Sequence, residues 1–366
     1  MNILILADMP APYRVEVFRG IAKEHHVEVF FKTCKDEARH AQWFVTAESS
    51  FDFHILDSKA ERKLYAACTK NIRKYNAVLC YDPWSWRARS LQRLCQKKSI
   101  PYALNADGAV QINVAFPKKQ IKTYYVKRAP LCLAGCNRAM EYFKAYGAKE
   151  ENVIQHPFTS LHQWEILDKP CTSEEKKQLK KKLGIQENLT FLAVGQFIHR
   201  KGFDLLLSAW KKTTQEGQLY IIGGGPLKDQ YQTIIKRDNL QNVNILDFKS
   251  PEELRNYYLA SDVFIMPTRE DIWGLVINEA MASGLPVITS DRCTAGNELI
   301  REGWNGYRYV CENVDSLAKH MDHMYKAPEA WAHFPENVLN TIRVHTLENV
   351  VQSHLSSLRM LINKEL

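Results

Sequence analysis

The sequence predicts an α/β protein built from two doubly wound parallel domains in tandem. Three observations carry that expectation. Short apolar runs alternate with amphipathic stretches along the chain, the rhythm of βαβ units whose sheet is covered on both faces. The rhythm breaks and restarts after His156-Pro157. A length of 366 residues is enough for two ordinary domains, each with its own core. The expected division is a first domain over 1–157, a second over 158–346 and a C-terminal helix over 347–366.

In the first domain the apolar run Ile3 to Ala7, a helix from about Pro12 to Glu24 and a second run from Val27 to Phe31 form a βαβ opening. Residues Thr33 to Asp52 are polar and poorly periodic and read as a long loop. Further strands are expected at Ala77 to Tyr81, Tyr102 to Leu104, Leu131 to Ala134 and Val153 to Gln155, with helices near 60–74, 85–98, 119–127 and 137–146. The second domain opens with a Lys/Glu-rich helix near 173–183 and a run from Leu189 to Gly195. Strands recur at Leu219 to Ile222, Val243 to Leu246, Val263 to Met266 and Val287 to Thr289, between helices at about 203–213, 227–238, 251–260 and 275–283. An amphipathic segment from Leu347 to Asn363 closes the chain.

Composition narrows the class. With 45% apolar and 25% charged residues the chain is globular rather than disordered. MNILILADMPAP has too few apolar residues before Pro10 for a signal peptide, and no later apolar run approaches the length of a membrane span. A cytoplasmic location is therefore expected. The nine cysteines include no C-x-x-C and no zinc-finger spacing, so neither a disulfide nor a structural metal is expected. Charge is uneven: residues 1–150 hold 25 Lys and Arg against 14 Asp and Glu, whereas the remainder holds 24 against 27. A basic first half suits an anionic membrane surface, a phosphorylated acceptor or nucleic acid, or it is simply a solvated surface.

The chemistry concentrates in Asp262 to Asp291. Val263 to Met266, stopped by Pro267, and Pro286 to Thr289 read as strands buried on both faces. The helix between them has only Asn278, Glu279 and the terminal Ser283 as polar residues, and Gly284 with Pro286 ends it. A helix apolar nearly all round is a buried one. Even a neutral polar group left there without a partner costs roughly 2–7 kcal/mol, so Glu279 needs hydroxyls of a ligand or backbone N–H groups. Two loops add to this. Gly195 to Gly202 follows a buried strand, and its Arg200 and Lys201 suit a phosphate, or lie in solvent as basic pairs at helix starts commonly do. Gly223-Gly224-Gly225-Pro226 leaves the next strand, where a backbone without side chains can approach a ligand or simply turn.

Glu270/Asp271 followed by Trp273-Gly274-Leu275, Asn278-Glu279-Ala280-Met281-Ala282 and Gly284-Leu285-Pro286-Val287 resembles the acidic-pair signature of family-4 (group 1) retaining glycosyltransferases. Ala11-Pro12-Tyr13-Arg14 resembles the acceptor-side loop of its exopolysaccharide and capsule branch. The family pattern has two glutamates separated by seven residues; counted back from Glu279, that spacing reaches Asp271, with Glu270 one residue further. The first acidic role thus falls to Asp271 or Glu270. Many members carry Arg directly after the first glycine of the Gly195 loop, where this chain has Gln196.

The resemblance implies two Rossmann-like domains facing across a cleft (the GT-B fold), with the C-terminal helix crossing back to the first. It implies transfer of a hexosyl or N-acetylhexosaminyl group from a nucleotide diphosphate sugar, a UDP-sugar above all, to a glycan or polyprenyl-linked acceptor of cell-surface polysaccharide. Arg200 and Lys201 would hold the diphosphate, and Asp271 or Glu270 the hydroxyls of the transferred sugar. Glu279 would take the ribose, with Gly195, Gly223, Gly224, Gly225 and the backbone of Gly274, Leu275 and Val276 completing the nucleotide site. Tyr13, Arg14 and Asp107 would serve the acceptor, although Asp107 also suits an Asx turn. No metal and no cofactor are required. Lys118, Lys119, Lys122, Lys127 and Arg128, interleaved with Tyr124 and Tyr125, have the make-up of an interfacial helix, so a peripheral contact with the inner face of an anionic membrane is expected, and none with nucleic acid. The alternatives are an epimerase or glycosyl phosphorylase on the same architecture, or a non-catalytic nucleotide-sugar or nucleic-acid binding protein.

Overall fold

The computed structural model describes residues 1–34, 44–108 and 114–363. The chain divides into two compact units, Met1–Ser160 together with His345–Leu366, and Leu161–Val344.

Unit 1 contains strands β1 (Asn2–Ala7), β2 (His26–Phe31), β3 (Asp52–Ile55), β4 (Ala77–Cys80), β5 (Tyr102–Ala106), β6 (Leu131–Ala134) and β7 (Val153–Gln155). Among the described residues they form one parallel sheet of order β3-β2-β1-β4-β5-β6-β7. Helices α1 (Pro12–Ala22), α2 (Lys59–Lys70), α3 (Trp86–Lys98), α4 (Lys118–Val126) and α5 (Asn137–Ala145) connect the strands. β1, β4 and β6 are apolar and buried along almost their whole length, as strands covered on two faces must be. The strand order reverses between β1 and β4, so the loops leaving these neighbours diverge at their C-terminal ends, where open α/β sheets bind ligands.

β3 was not legible as a strand. It is an edge strand with Asp52 and His54 in its four residues, and polar residues at an edge blunt the apolar signal. The expected Thr33 to Asp52 loop lies partly outside the described residues. Its described remainder is irregular but anchored: Phe44 and Phe51 are buried, and the Val45 N–H donates to the Pro10 carbonyl at 3.1 Å.

Unit 2 contains β8 (Thr190–Val194), β9 (Gln218–Ile222), β10 (Val243–Leu246), β11 (Val263–Met266), β12 (Val287–Ser290) and β13 (Gly306–Tyr309). Their parallel sheet has the order β10-β9-β8-β11-β12-β13, so its reversal lies between β8 and β11. The helices are α6 (Ser173–Leu183), α7 (Phe203–Trp210), α8 (Lys228–Arg237), α9 (Pro251–Ala260), α10 (Leu275–Ala282), α11 (Thr294–Leu299), α12 (Val314–Lys326), α13 (Pro328–Trp331) and α14 (Phe334–Ile342). Asp262 holds the entry to β11, accepting from Lys180 at 2.7 Å, Lys176 at 3.1 Å and the Thr190 N–H at 2.9 Å. β13 and α11 to α14 had no counterpart in the sequence reading; β13 is a partly exposed edge strand and α11 is too short for a periodic signal.

The last helix, α15 (Leu347–Asn363), belongs to unit 1. Its Leu347, Val350, Leu355, Leu358 and Leu361 share a buried core with Val17, Phe18 and Ile21 of α1 and with Ile3, Ile5 and Val29 of the sheet.

Candidate functional site

In unit 2 the loops after β8 and β11 leave adjacent strands at the point where the strand order reverses. Beyond β8, a short turn over His199–Lys201 ends at Gly202. Gly202 has φ +70, and a Cβ there would lie 2.1 Å from the Pro267 carbonyl oxygen. Only glycine lets the two backbones meet this closely. The contact is then riveted: the Arg200 carbonyl accepts from the Arg269 N–H at 2.8 Å and from the Thr268 hydroxyl at 2.9 Å. The Arg269 guanidinium bonds Asp204 at 2.6 and 2.8 Å and the His199 carbonyl at 2.9 Å. Burial would push the Asp204 carboxyl upward, but Arg269 holds it below the usual carboxylate range.

This packing delivers both cations to the acidic loop. The Lys201 ammonium is hydrogen-bonded to the Asp271 carboxylate, and the Arg200 guanidinium lies 3.5 Å from the same oxygen. Arg200 also donates to the Glu270 carbonyl at 2.8 Å. Asp271 is fixed by its backbone, its N–H donating to the Arg292 carbonyl at 3.1 Å and its carbonyl accepting from Thr294 N–H at 3.3 Å. Glu270 is exposed and joins the cluster through its main chain alone. Of the two acids left open by spacing, Asp271 is the one whose carboxylate stands among the cations. Lys201 and Asp271 side chains are only 14% and 12% exposed, against 41% for Arg200, which leaves Arg200 the more accessible cation.

The three glycines after β9 have a largely internal explanation. A Cβ on Gly223 would lie 1.9 Å from the Gly195 carbonyl oxygen, and one on Gly225 2.8 Å from that of Phe197. The Gly195 N–H donates to Ile222, Phe197 N–H to Gly224 and Leu227 N–H to Phe197, at 3.0, 2.8 and 3.1 Å. The turns after β8 and β9 are thus laced together, and only Gly224 faces open space.

Gly274 is the N-cap residue of α10. The helix is not buried all round: Leu275, Val276 and Glu279 form a half-open stripe, while Ile277, Asn278, Ala280, Met281 and Ala282 are buried. Asn278 is accounted for by the Trp273 indole, which donates to its side-chain oxygen at 2.8 Å. Glu279 accepts from the Tyr258 hydroxyl at 3.0 Å, a side-chain partner on α9 that sequence reasoning did not find. Burial pushes the Glu279 carboxyl up, the Tyr258 hydrogen bond opposes this, and nearby Glu165 adds to the rise. Unit 2 therefore brings together Arg200, Lys201, Asp271 and the start of α10, whose first N–H groups favour anions.

In unit 1, Arg14 from α1 and Asp107 from the end of β5 form an ion pair at 2.7 Å. Asp107 is also hydrogen-bonded by the Asn105 amide; residue 109, which an Asx turn from Asp107 would engage, lies outside the described residues. Tyr13 packs edge-on against Phe158. Arg14, Asp107 and Tyr13 line one small cavity of about 20 Å³ with Tyr81, His156 and His354. The Tyr81 hydroxyl lies 2.6 Å from His354 Nε2, and His156 Nε2 lies 3.2 Å from Asn105 Oδ1. Burial lowers both imidazoles, His354 to about 3. Neither histidine was singled out from the sequence, because β7 and α15 bring them together from distant segments.

The basic helix α4 leaves Lys118, Lys119, Ile121, Tyr124, Lys127 and Arg128 exposed. Two residues expected on that face are elsewhere. Tyr125 is buried, and the Lys122 ammonium sits over the rings of Tyr142, Trp84 and Tyr146 at 5.0, 5.2 and 5.5 Å, a cation–π setting. Trp84 is thereby occupied, while Trp86 is 63% exposed. No helix among the described residues is long and apolar enough to cross a membrane. No group of three or more His, Cys, Asp or Glu among them could hold a metal ion.

The two parallel-sheet α/β units are those of the GT-B glycosyltransferase fold. HepE of Anabaena, solved in complex with UDP, superimposes with a TM-score of 0.78 at 16% identity, covering 98% of this chain and 100% of that one. Residues 175–340, all within unit 2, match the family described as "Glycosyl transferases group 1". An uncharacterized glycosyltransferase of Haemophilus influenzae is 26% identical over 177 residues, 47% of this chain and 50% of that protein. The amylovoran biosynthesis glycosyltransferase AmsK of Erwinia amylovora is 29% identical over 189 residues, 46% of each. The chain spans about half the length of the curated relatives it matches first.

Proposed function

We propose that this protein is a retaining glycosyltransferase that moves a hexosyl or N-acetylhexosaminyl group from a nucleoside diphosphate sugar, with UDP as the carrier, to a glycan or polyprenyl-linked acceptor in cell-surface polysaccharide synthesis. The observation that carries the reading is the clustering of Arg200, Lys201 and Asp271 beside the start of α10 at the reversal point of the unit 2 sheet. UDP bound to HepE and the amylovoran biosynthesis in the name of AmsK support the choice of donor and pathway class.

In this reading Arg200 and Lys201, with the first N–H groups of α10, take the diphosphate, whose negative charge grows as the glycosidic bond breaks. Asp271 accepts from hydroxyls of the sugar and Glu279 from those of the ribose. The bond from the anomeric carbon to the phosphate oxygen breaks while the acceptor oxygen bonds to the same face of that carbon. The acceptor proton passes to the departing phosphate oxygen. The cations and helix dipole stand in for a divalent ion. Tyr13, Arg14 and Asp107 in unit 1 serve the acceptor, and the exposed cations of α4 rest on an anionic membrane surface from the cytoplasmic side.

The test is the thermal shift of the wild type and of Glu279→Ala with UDP, GDP, ADP and CMP, each with and without EDTA. Stabilisation by one diphosphate, unaffected by EDTA and lost in the variant, is the expected result. No shift with any nucleotide would remove the donor site and bring a non-catalytic binding role forward.

A further inference from the structure

Among the described residues one side chain donates to the Glu279 carboxylate, and the structure explains why it can do so reliably. Tyr258 sits on α9, whose start is set by Pro251 and a reciprocal capping box between Ser250 and Glu253. The residue is 3% exposed, and its ring packs at 5.8 Å, centroid to centroid, against Phe264 of β11. A ring held between a capped helix and a central strand has little freedom left. Its hydroxyl meets Glu279 Oε2 at 3.0 Å. Glu279 itself lies on the half-open stripe of α10 with Leu275 and Val276.

We infer that Tyr258 is a positioning residue for nucleotide binding: its phenol holds one oxygen of Glu279 so that the carboxylate presents the other to the ribose hydroxyls of a nucleoside diphosphate. The inference rests on the proposed donor site. It concerns how the ribose contact is made rather than whether there is one. Among the described residues the titratable groups that act on Glu279 are Tyr258 from α9 and Glu165 from the turn Gln163–Glu165. Glu165 and burial favour the protonated carboxyl, and Tyr258 alone favours the carboxylate. Removing the hydroxyl therefore raises the pH at which Glu279 ionises.

Calorimetric titration of the wild type, Tyr258→Phe, Glu279→Ala and the double variant with UDP, GDP, ADP and inorganic pyrophosphate tests this. Tyr258→Phe keeps the ring and its packing. It should weaken the best-bound nucleoside diphosphate about tenfold, the size expected for losing a hydrogen bond to a charged group. Pyrophosphate, which has no ribose, should bind as before. The acidic limb of the affinity-versus-pH curve should move to higher pH, and the double variant should be no weaker than Glu279→Ala. Wild-type nucleotide affinity in Tyr258→Phe, a parallel loss of pyrophosphate, or additive losses in the double variant would each overturn the inference. Failure of the donor site itself has a different signature: Glu279→Ala would then bind nucleotide as well as the wild type, or no nucleotide would bind at all.

Discussion

In the proposed reaction Asp271 has two parts that pull against each other. It is the counter-ion of Lys201 and a neighbour of Arg200, which settles two cations in a partly buried place. A diphosphate brings its own charge and must share those cations. Asp271→Asn should therefore bind pyrophosphate severalfold more tightly, measured by calorimetry, while sugar transfer falls about a hundredfold, as when a group acting on the reacting sugar is lost. Glu270→Gln, at an exposed position that contributes only its carbonyl, should change transfer less than about threefold. Equal losses in the two variants would show that the cluster seen here does not select the working acid.

Among the elements, the turns after β8 and β9 behave as one laced structure. Gly223→Ala would drive a methyl into the Gly195 carbonyl oxygen, 1.9 Å away, with the Phe197 ring at 3.1 Å. A destabilisation of about 3 kcal/mol or more is expected, read as a fall in the melting temperature of the apoprotein. Gly224→Ala meets nothing within 4 Å and should leave stability unchanged. The α15 helix carries a second, pH-linked effect. His354 is neutral in the fold, its pKa lowered to about 3 by burial, whereas the unfolded chain takes up a proton near the ordinary value of 6.5. The unfolded state binds more protons between these limits, so stability falls as pH drops through that window. At pH 5 the cost is roughly 2 kcal/mol. Denaturation of wild type and His354→Gln at pH 7.5 and pH 5 checks the sign: the variant should lose less on acidification.

The same elements show what could be read from the chain. Buried central strands announce themselves as continuous apolar runs, so β1, β8, β11 and β12 were legible, and with them the glycine-ended loops after β8 and β11 that carry Arg200, Lys201 and Asp271. Edge strands such as β3 and β13 were not, because half-exposed polar residues erase that signal. The apolar composition of α10 suggested burial on every side, yet composition carries no record of which face a neighbour covers, and the stripe through Leu275, Val276 and Glu279 is open. Tyr258, His156 and His354 were invisible as site residues for another reason. Each meets its partner through tertiary packing, and no spacing in the sequence encodes that meeting.

At the scale of the whole molecule the charge is segregated. The basic excess of residues 1–150 should make binding to anionic vesicles depend on ionic strength, since exposed charges are screened beyond about 10 Å at 0.1 M salt. Replacing Lys118, Lys119 and Lys127 together should weaken partitioning in vesicle sedimentation. Lys122, covered by three rings, should contribute little; if Lys122→Gln alone matched the triple variant, α4 would not be the contact surface.

Unit 1 is written in two places along the chain, Met1–Ser160 and His345–Leu366. A ribosome delivers these pieces far apart in time. While residues 161–344 emerge, the nascent first piece lacks Leu347, Val350, Leu355, Leu358 and Leu361, and the apolar faces of α1 and the sheet stay open. Unit 2, continuous in sequence, suffers no such wait. The N-terminal half of the protein is therefore expected to mature last, and truncation before Leu347 should destabilise unit 1.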